Sequence, residues 1–320
     1  MKITTLNDLA IPLVLKAETK EEKKILNLSL FCRENKQFIF DKLHTHGALL
    51  FRGFDIKNTS EFDSVATNLG ISLLNYKGGD SPRDKINKDI YTSTHYPPHL
   101  SISLHNELSF SSFYPGYLLF YCKVPPIEGG ETPIASGRSI LSDLSNDLIK
   151  SFKDKKIKYI MNLHNGYGAG KSWKECFETD NVNEVERILT QKKANYSWSN
   201  NYSSLKIEEV VCPIIHHPVT GEEVFFAQAD QWHPSNLDKE TYHALKEFMN
   251  EDDFYHNCKF GDDLEIPNKY LEEIREKVSI HKISFPWEEN DLMLIDNILT
   301  LHGRNPFKGD RKVYVCMGNV

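Results

Sequence analysis

The sequence predicts one mainly β core with helical decoration. Apolar runs typical of strands occur near both ends of the chain and before its middle, at 48–54, 100–136 and 291–318. Helical periodicity lies between these runs, for example at 172–192 and 238–250. A parallel α/β sheet would need a stricter alternation of strand and helix, so we expect a strand-based core without a clear domain boundary.

Each predicted element follows from the spacing of its apolar residues and from the glycine or proline residues at its ends. Two runs of helical spacing end at Gly47 and Gly70, because a glycine after the last turn suits a helix stop. The segment "HPVTG" (217–221) marks a turn between two strands rather than a set of ligands. Along the chain we expect helices at 18–47, 60–70, 172–192, 238–250 and 267–279, strands at 48–54, 100–136, 208–229, 291–296 and 311–318, and loops at 76–83 and 95–100, where glycine and proline cluster.

The composition limits the classes of protein. The net charge of −7 and the scattered lysines argue against a nucleic-acid binder, which usually shows a basic stripe. Asp8 and Pro12 interrupt the apolar stretch at the N-terminus, and no run reaches the roughly 18 apolar residues that span a membrane. The six cysteines lack a CxxC pair, which is typical of reduced thiols. We therefore expect a cytoplasmic enzyme that binds neither nucleic acid nor membrane.

The stretch "SISLHNELSF" (101–110) contains the first candidate site. Side chains two residues apart in a strand point to the same face, so we expect His105 and Glu107 to point to one place. Imidazole and carboxylate together suit a borderline metal, and a third ligand would complete a facial triad. The pair alone is weak, because about two His-x-Asp/Glu matches are expected by chance and one occurs. A strand, turn and strand near the C-terminus add His302 and Arg311, and this combination is much rarer.

With these residues in view, the chain resembles the taurine dioxygenase/clavaminate synthase-like family of Fe(II)- and 2-oxoglutarate-dependent oxygenases. It is most similar to the branch that contains the syringomycin-pathway aspartyl hydroxylase. The similar segments run in family order, span most of the chain and form a highly specific series. They are "HGALLFRGF" (46–54), "YKGGDSPR" (76–83), "YTSTHYPPHLSISLHNELSF" (91–110), "FYCKVPPIEGGETPIAS" (120–136), "HPVTGEEVFF" (217–226) and "LIDNILTLHGRNPFKGDRKV" (294–313).

The resemblance implies a metal site and its cosubstrates. The iron ligands of the family fall on His105, Glu107 and His302, which would leave three positions on the metal for 2-oxoglutarate and O2. Related halogenases carry glycine or alanine where this chain has Glu107, so the carboxylate favours hydroxylation, or a desaturation-type outcome, over halogenation. Arg311 falls on the arginine that binds the distal carboxylate of 2-oxoglutarate, and Thr132 on the residue that adds a hydroxyl donor.

One position departs from the family pattern. Members similar to taurine dioxygenase carry a second arginine four residues after the first, whereas this chain has Val315, which puts a sulfonate-like substrate in doubt. Arg304 could replace that arginine or could be structural. The resemblance also places three loop residues near the substrate, namely Tyr76, Arg83 and Tyr96.

The resemblance implies a double-stranded β-helix, a distorted jelly roll, formed by a single domain across 1–320 with a helical insert and lid region at about 140–285. The expected activity is hydroxylation of an amino acid or an amino-acid-derived group, free or tethered to a carrier protein. Two other readings stay open. A zinc hydrolase could use the same three ligands but would give Arg311 and Thr132 no role, and a non-catalytic β-barrel module would tolerate loss of Glu107.

Overall fold

The computed structural model describes residues 1–75, 79, 83, 85–87, 89–93, 96–168 and 170–320. The strands are β1 (Lys2–Thr5), β2 (Leu13–Lys16), β3 (Ala48–Arg52), β4 (Ser72–Leu73), β5 (Lys85–Asn87), β6 (Ile90–Thr92), β7 (Ile102–His105), β8 (Tyr117–Val124), β9 (Glu128–Gly129), β10 (Ile134–Ser136), β11 (Ile157–His164), β12 (Asn195–Trp198), β13 (Ser204–Val211), β14 (Ile214–His216), β15 (Glu223–Phe225), β16 (His256–Phe260), β17 (Leu292–Asp296), β18 (Thr300–Arg304), β19 (Phe307–Lys308) and β20 (Lys312–Asn319). The α-helices are α1 (Ile25–Glu34), α2 (Lys36–His46), α3 (Thr59–Leu69), α4 (Gly137–Asp143), α5 (Asn146–Lys155), α6 (Trp173–Phe177), α7 (Val182–Lys192), α8 (Ala229–Trp232), α9 (Lys239–Phe248) and α10 (Asn268–Ile280).

The largest sheet has the strand order β1-β2-β3-β17-β8-β20-β6-β5, with β4 paired to β20. Its central strands are antiparallel and come from distant parts of the chain, as in the pairing of Leu294 with Leu49 on one side and with Leu119 on the other. Helices α1 to α3 cover one face of this sheet with a buried apolar cluster that includes Leu43 and Phe62. The helices thus shield that face from water, and the opposite face is left for the site.

The opposite face packs towards a smaller sheet of order β10-β18-β7. One buried apolar cluster contains Phe120 and Val315 of the large sheet together with Leu104, Ile134 and Leu301 of the small one. The two sheets therefore share a core, and residues at the inner ends of β7, β18 and β20 are brought close together.

Residues 140–285 are mixed rather than helical. They contain α5 to α10, but also a four-stranded antiparallel sheet of order β12-β13-β11-β16 within the described chain. Strand β11 is not among the strands predicted from the sequence, because its apolar residues directly follow the lysine-rich end of α5. Its burial pattern is instead that of a core strand, with Ile157, Tyr159 and Leu163 buried.

The other sequence predictions are largely confirmed at the level of elements. The helical pattern at 18–47 is two helices that meet at Asn35, and it ends at Gly47 in the left-handed conformation. The expected strand at 48–54 is β3, which is buried throughout, and the expected helix at 60–70 is α3, followed by left-handed Gly70. The pattern at 172–192 is also two helices, because the chain turns at left-handed Glu178.

No helix within the described residues is long and apolar enough to cross a membrane.

Candidate metal centre

Two histidines face each other where the small sheet approaches the large one. His105 is the last residue of β7 and is the direct register partner of His302 on β18. Their imidazole ring centroids lie 4.5 Å apart, and both side chains are buried. Nδ1 of His105 lies 2.9 Å from the carbonyl oxygen of Ser103. Because a carbonyl can only accept, this nitrogen carries the proton, and Nε2 keeps its lone pair for a metal.

Glu107 reaches the same place by a different route from the one expected. The sequence predicts that His105 and Glu107 share one strand face, but β7 ends at His105 and Glu107 lies in the following turn. Leu108, the next residue, has a left-handed φ of 57°. The turn brings Oε2 of Glu107 to 3.8 Å from Nε2 of His302. Convergence therefore comes from the turn and not from strand periodicity.

Arg83 also enters the centre. Its Nη2 donates to Oε2 of Glu107 at 2.6 Å, and both side chains are almost fully buried. The pKa of His302 is held well below its ordinary value, because burial disfavours the imidazolium and a proton on His302 would face the neighbouring His105 ring and the Arg83 guanidinium. His302 is thus neutral at physiological pH, which is the form that binds metals.

Arg311 occupies a cradle beside these ligands. Its Nε donates to the carbonyl oxygen of Gly130 at 2.8 Å, and its Nη1 donates to Oγ of Ser93 at 2.9 Å. Burial lowers its pKa to about 10, so it stays cationic at neutral pH. Gly130 has a φ of 69°, and a Cβ there would lie 3.1 Å from Cδ of Arg311 and only 2.6 Å from Pro126, so the cradle requires glycine.

The charge of Arg311 has no acidic partner among the described residues, since all three of its hydrogen bonds go to neutral oxygens. The third of these is Oγ1 of Thr132, 3.3 Å from Nη2. Oγ1 of Thr132 also accepts from Nε1 of Trp287 at 3.2 Å. With two donors directed at this oxygen, the hydroxyl hydrogen of Thr132 is left for an acceptor. A half-buried cation and an adjacent hydroxyl donor are what a ligand carboxylate needs.

The cavity at the centre is narrow, at about 30 Å³. That volume has room for only a few water molecules, so a 2-oxo acid can enter only when a lining side chain moves. Arg83 reaches in from the loop between β4 and β5, whereas most of the other lining residues lie on or beside strands. The lining residues are Arg83, Ser93, Ile102, His105, Phe120, Thr132, His302, Gly303, Arg304, Arg311 and Val315.

Arg304 and Tyr96 lie beside the centre. The guanidinium of Arg304 donates to the main-chain carbonyl oxygens of Tyr96, Pro97 and Leu100 at 2.7 to 2.9 Å, so it fastens the 96–100 loop to β18. The ring of Tyr96 lines a groove of about 660 Å³ that shares Ser93, Arg304 and Arg311 with the central cavity. These contacts show that Arg304 holds the loop, and its role as a cosubstrate ligand stays a prediction. Tyr76 lies outside the described residues.

A second group of potential ligands, His44, His217 and Asp296, has donor atoms equally close together. Nδ1 of His217 accepts from the main-chain nitrogens of Val219 and Thr220, so Nε2 carries the proton and donates to Oδ2 of Asp296 at 3.0 Å. A histidine in this tautomer has no lone pair left for a metal. The cluster is a hydrogen-bond network that fixes the "HPVTG" turn.

The residues of the first group fit a divalent metal. Three donor atoms within 4.8 Å of one another come from a neutral imidazole, a second imidazole with its lone pair available and a carboxylate. The two-histidine, one-carboxylate set is typical of non-haem iron(II) and leaves positions open for further ligands. Sequence reasoning missed Ser93, Trp287 and Asn297, which contact the predicted residues; Asn297 lies within the "LIDN" segment, whereas nothing in the spacing marks Trp287 or Ser93.

Comparison with known proteins connects this geometry to a family. The family described as "Taurine catabolism dioxygenase TauD, TfdA family" matches residues 12–317. The dapdiamide synthesis protein DdaC of Enterobacter agglomerans is 33% identical over 275 residues, which cover 86% of this chain and 83% of that protein. A clavaminate synthase-like protein of Arabidopsis thaliana is 26% identical over 302 residues, covering 91% of this chain and 88% of that protein.

A solved structure shows the same fold at much lower identity. It is an asparagine oxygenase in complex with Fe(II), 3-hydroxyasparagine and succinate, with a TM-score of 0.59 and 9% sequence identity. The similarity covers 95% of this chain and 93% of that one. The expectation of a jelly roll is therefore confirmed at the level of the overall fold.

Proposed function

This chain belongs to the TauD, TfdA family of dioxygenases and is an Fe(II)- and 2-oxoglutarate-dependent oxygenase, and we propose that it hydroxylates an unactivated C–H bond of an amino acid or an amino-acid-derived compound. The observation that carries the proposal is Arg311, a half-buried cation with no acidic partner in the described part of the chain, beside the converging His105, Glu107 and His302. A cation whose hydrogen-bond partners among the described residues are all neutral oxygens has its counterpart in the distal carboxylate of 2-oxoglutarate.

Each residue has a defined task in this proposal. Nε2 of His105, Nε2 of His302 and the carboxylate of Glu107 hold Fe(II), which supplies the activation of O2 coupled to oxidation of 2-oxoglutarate to succinate and CO2. Arg311 binds the distal carboxylate and fixes its orientation, with Thr132 donating its hydroxyl hydrogen to the same group. Ile102, Phe120 and Val315 form the apolar part of the cavity wall and help to exclude water from the reaction.

Arg83 is proposed to bind an acidic group of the substrate. It is one of three arginines that line the central cavity, and its guanidinium pairs with the carboxylate of Glu107. Binding of a metal cation to Glu107 weakens the hold of that carboxylate on Arg83, because the two cations then compete for one oxygen. The carboxylate of an amino acid substrate would supply the negative charge that Arg83 then lacks.

The role of Arg83 is tested by comparing Arg83→Gln with Arg83→Lys. We expect Arg83→Gln to raise KM for the amino acid about 10-fold or more while KM for 2-oxoglutarate changes less than threefold, because a charged hydrogen bond to the substrate is lost. Arg83→Lys should recover part of the affinity. Equal changes in both KM values would contradict this assignment.

Finer features are part of the same proposal. We propose a single domain across 1–320 in which the segment at about 140–285 is an insert that covers the site. Tyr96 lines the adjoining groove and is proposed to contact the substrate. A substrate tethered to a carrier protein and a cytoplasmic location stay predictions.

The proposed function is tested by succinate formation. Purified protein with Fe(II), O2 and 2-oxoglutarate is offered a panel of free amino acids and of the same amino acids tethered to a carrier. We expect substrate-dependent succinate release with one panel member or a few related ones, and none from a His302→Ala variant. Turnover that no panel member stimulates would contradict the proposed substrate class.

The alternatives are not favoured. A zinc hydrolase on the same ligands would leave Arg311 and Thr132 without a role, and a binding module would have no need of a buried carboxylate beside two imidazoles. The asparagine oxygenase shows that this fold accommodates hydroxylation of an amino acid in that protein.

A further inference from the structure

We propose that Asn297 is a positioning residue that holds the metal ligand Glu107 and couples it to His302. Asn297 lies in the turn between β17 and β18, five residues before His302, and is fully buried. It does not touch the donor atoms of the centre. Its effect would pass through the main chain of Glu107.

The side chain of Asn297 binds both main-chain groups of Glu107. Its Oδ1 accepts from the nitrogen of Glu107 at 2.7 Å, and its Nδ2 donates to the carbonyl oxygen of Glu107 at 3.0 Å. The same Nδ2 donates to the carbonyl oxygen of Pro115 at 2.8 Å. In the reverse direction, Nδ2 of Asn106 donates to the carbonyl oxygen of Asn297 at 2.6 Å. Two segments 190 residues apart are thereby clamped from both sides.

Glu107 needs such a clamp because no strand ladder holds it. It lies beyond the end of β7, and left-handed Leu108 follows it. The direction of the carboxylate therefore depends on how the main chain of Glu107 is fixed, in addition to its ion pair with Arg83. A small rotation of this peptide would carry the carboxylate oxygen away from the two imidazoles.

The turn that presents Asn297 is itself rigid. Oδ1 of Asp296 accepts from the main-chain nitrogens of Ile298 and Leu299 at 3.0 Å each, and its Oδ2 accepts from Nε2 of His217. The strand that leaves this turn carries His302. The clamp therefore fixes Glu107 relative to His302, which is the geometrical condition for a shared metal.

Only an amide meets all the partners of Asn297. Aspartate at this position has nearly the same shape, but it would turn an oxygen towards the carbonyl oxygens of Glu107 and Pro115, so attraction becomes repulsion. Asn297→Asp is thus a sharp test. Asn162→Asp is its matched control, because Nδ2 of Asn162 also donates to two main-chain carbonyls, those of Asp252 and Phe254, within the sheet of β11.

The experiment titrates metal-free full-length protein with Co(II), followed by its visible absorption, and measures thermal unfolding without metal. We expect both variants to lose stability, but only Asn297→Asp to weaken Co(II) binding, by about 10- to 100-fold, and to alter the absorption spectrum. Should Asn297→Asp fail to fold, Asn106→Ser removes the opposite half of the clamp and is expected to weaken binding severalfold. Unchanged affinity in the folded variant, or equal weakening in Asn162→Asp, would overturn the inference.

The inference rests on the proposed metal site but not on the substrate. A wild-type protein that binds no Co(II) would refute the metal site itself. A wild-type protein that binds Co(II) as tightly as its Asn297→Asp variant would refute the positioning role alone.

Discussion

Arg52 and Asp291 form a buried, bidentate ion pair that joins the end of β3 to the start of β17. Nε and Nη2 of Arg52 donate to the two carboxylate oxygens of Asp291 at 2.9 and 2.6 Å. Nη2 of Arg52 also donates to the carbonyl oxygen of Pro286, the residue before Trp287. The pair therefore holds both the centre of the large sheet and the segment that supports Thr132.

We expect Asp291→Ala to lower the free energy of unfolding by about 3 kcal/mol, because it removes the buried carboxylate that pairs with Arg52 and leaves only the exposed Glu288. Chemical denaturation measures the change. The matched control is Asp154→Ala, which breaks the exposed pair of Lys150 and Asp154 and should cost less than about 1 kcal/mol. A loss below 1 kcal/mol for Asp291→Ala would show that the pair does not stabilise the sheet.

Arg311→Ala should raise KM for 2-oxoglutarate about 10- to 100-fold, because a buried, charge-assisted contact with the distal carboxylate is lost. Steady-state succinate formation measures this, and Co(II) affinity should change less than twofold. Lys312→Ala, an exposed neighbour, is the control and should leave both values unchanged. An Arg311→Ala variant with normal KM for the 2-oxo acid would favour the hydrolase alternative.

Trp287→Phe removes the indole donor to Oγ1 of Thr132, which frees that hydroxyl to rotate. We expect KM for 2-oxoglutarate to rise about two- to tenfold, the range of one ordinary hydrogen bond. Trp173→Phe is the control, since Nε1 of Trp173 donates to a carbonyl oxygen at Tyr202, away from the centre. If both variants raise KM for 2-oxoglutarate equally, the effect comes from loss of tryptophan packing in general and not from the hydrogen bond to Thr132.

The sequence and structure agree to different degrees at different places. His105, Glu107, His302 and Arg311 could be found because the order of motifs along the chain is specific. The convergence of Glu107 could not be derived from period-two spacing, since it depends on a left-handed turn at Leu108 and on a distant turn. Such long-range contacts leave little periodic signal in one sequence.

The missed elements have similar causes. Strand β11 was hidden because the lysine-rich end of α5 runs directly into it, and its buried residues begin only at Ile157. The break at Asn35 inside the 18–47 pattern was missed because apolar spacing continues across it. Trp287 was missed because its role depends on a partner, Thr132, 155 residues away.

The contribution of Asp230 to the stability of the protein should fall as pH rises through the acidic range. Burial raises the pKa of this carboxyl to about 6, above its value in the unfolded chain. Between pH of about 4 and 6 the unfolded chain therefore binds fewer protons than the folded one, so the stabilising contribution present at low pH is lost as pH rises.

Asp230→Asn removes this titration. We compare the free energy of unfolding of the variant with that of the wild type by denaturation at pH 4 and at pH 7.5. The difference in favour of the variant should be larger at pH 7.5, by up to about 3 kcal/mol. Asp253→Asn, which changes an exposed acid nearby, should show no such pH-dependent gain. If the free energies of unfolding of the wild type and Asp230→Asn differ by the same amount at both pH values, the titration is not that of Asp230.

The central claim is tested most directly by an anaerobic titration of the metal-free protein with Fe(II) and 2-oxoglutarate. A 2-oxo acid chelated to ferrous iron gives a visible charge-transfer band. We predict a band that needs both components, saturates at one iron per chain, persists in the exposed control His243→Ala and is absent in His302→Ala. No band in the wild-type protein, or an equal band in His302→Ala, would contradict the account.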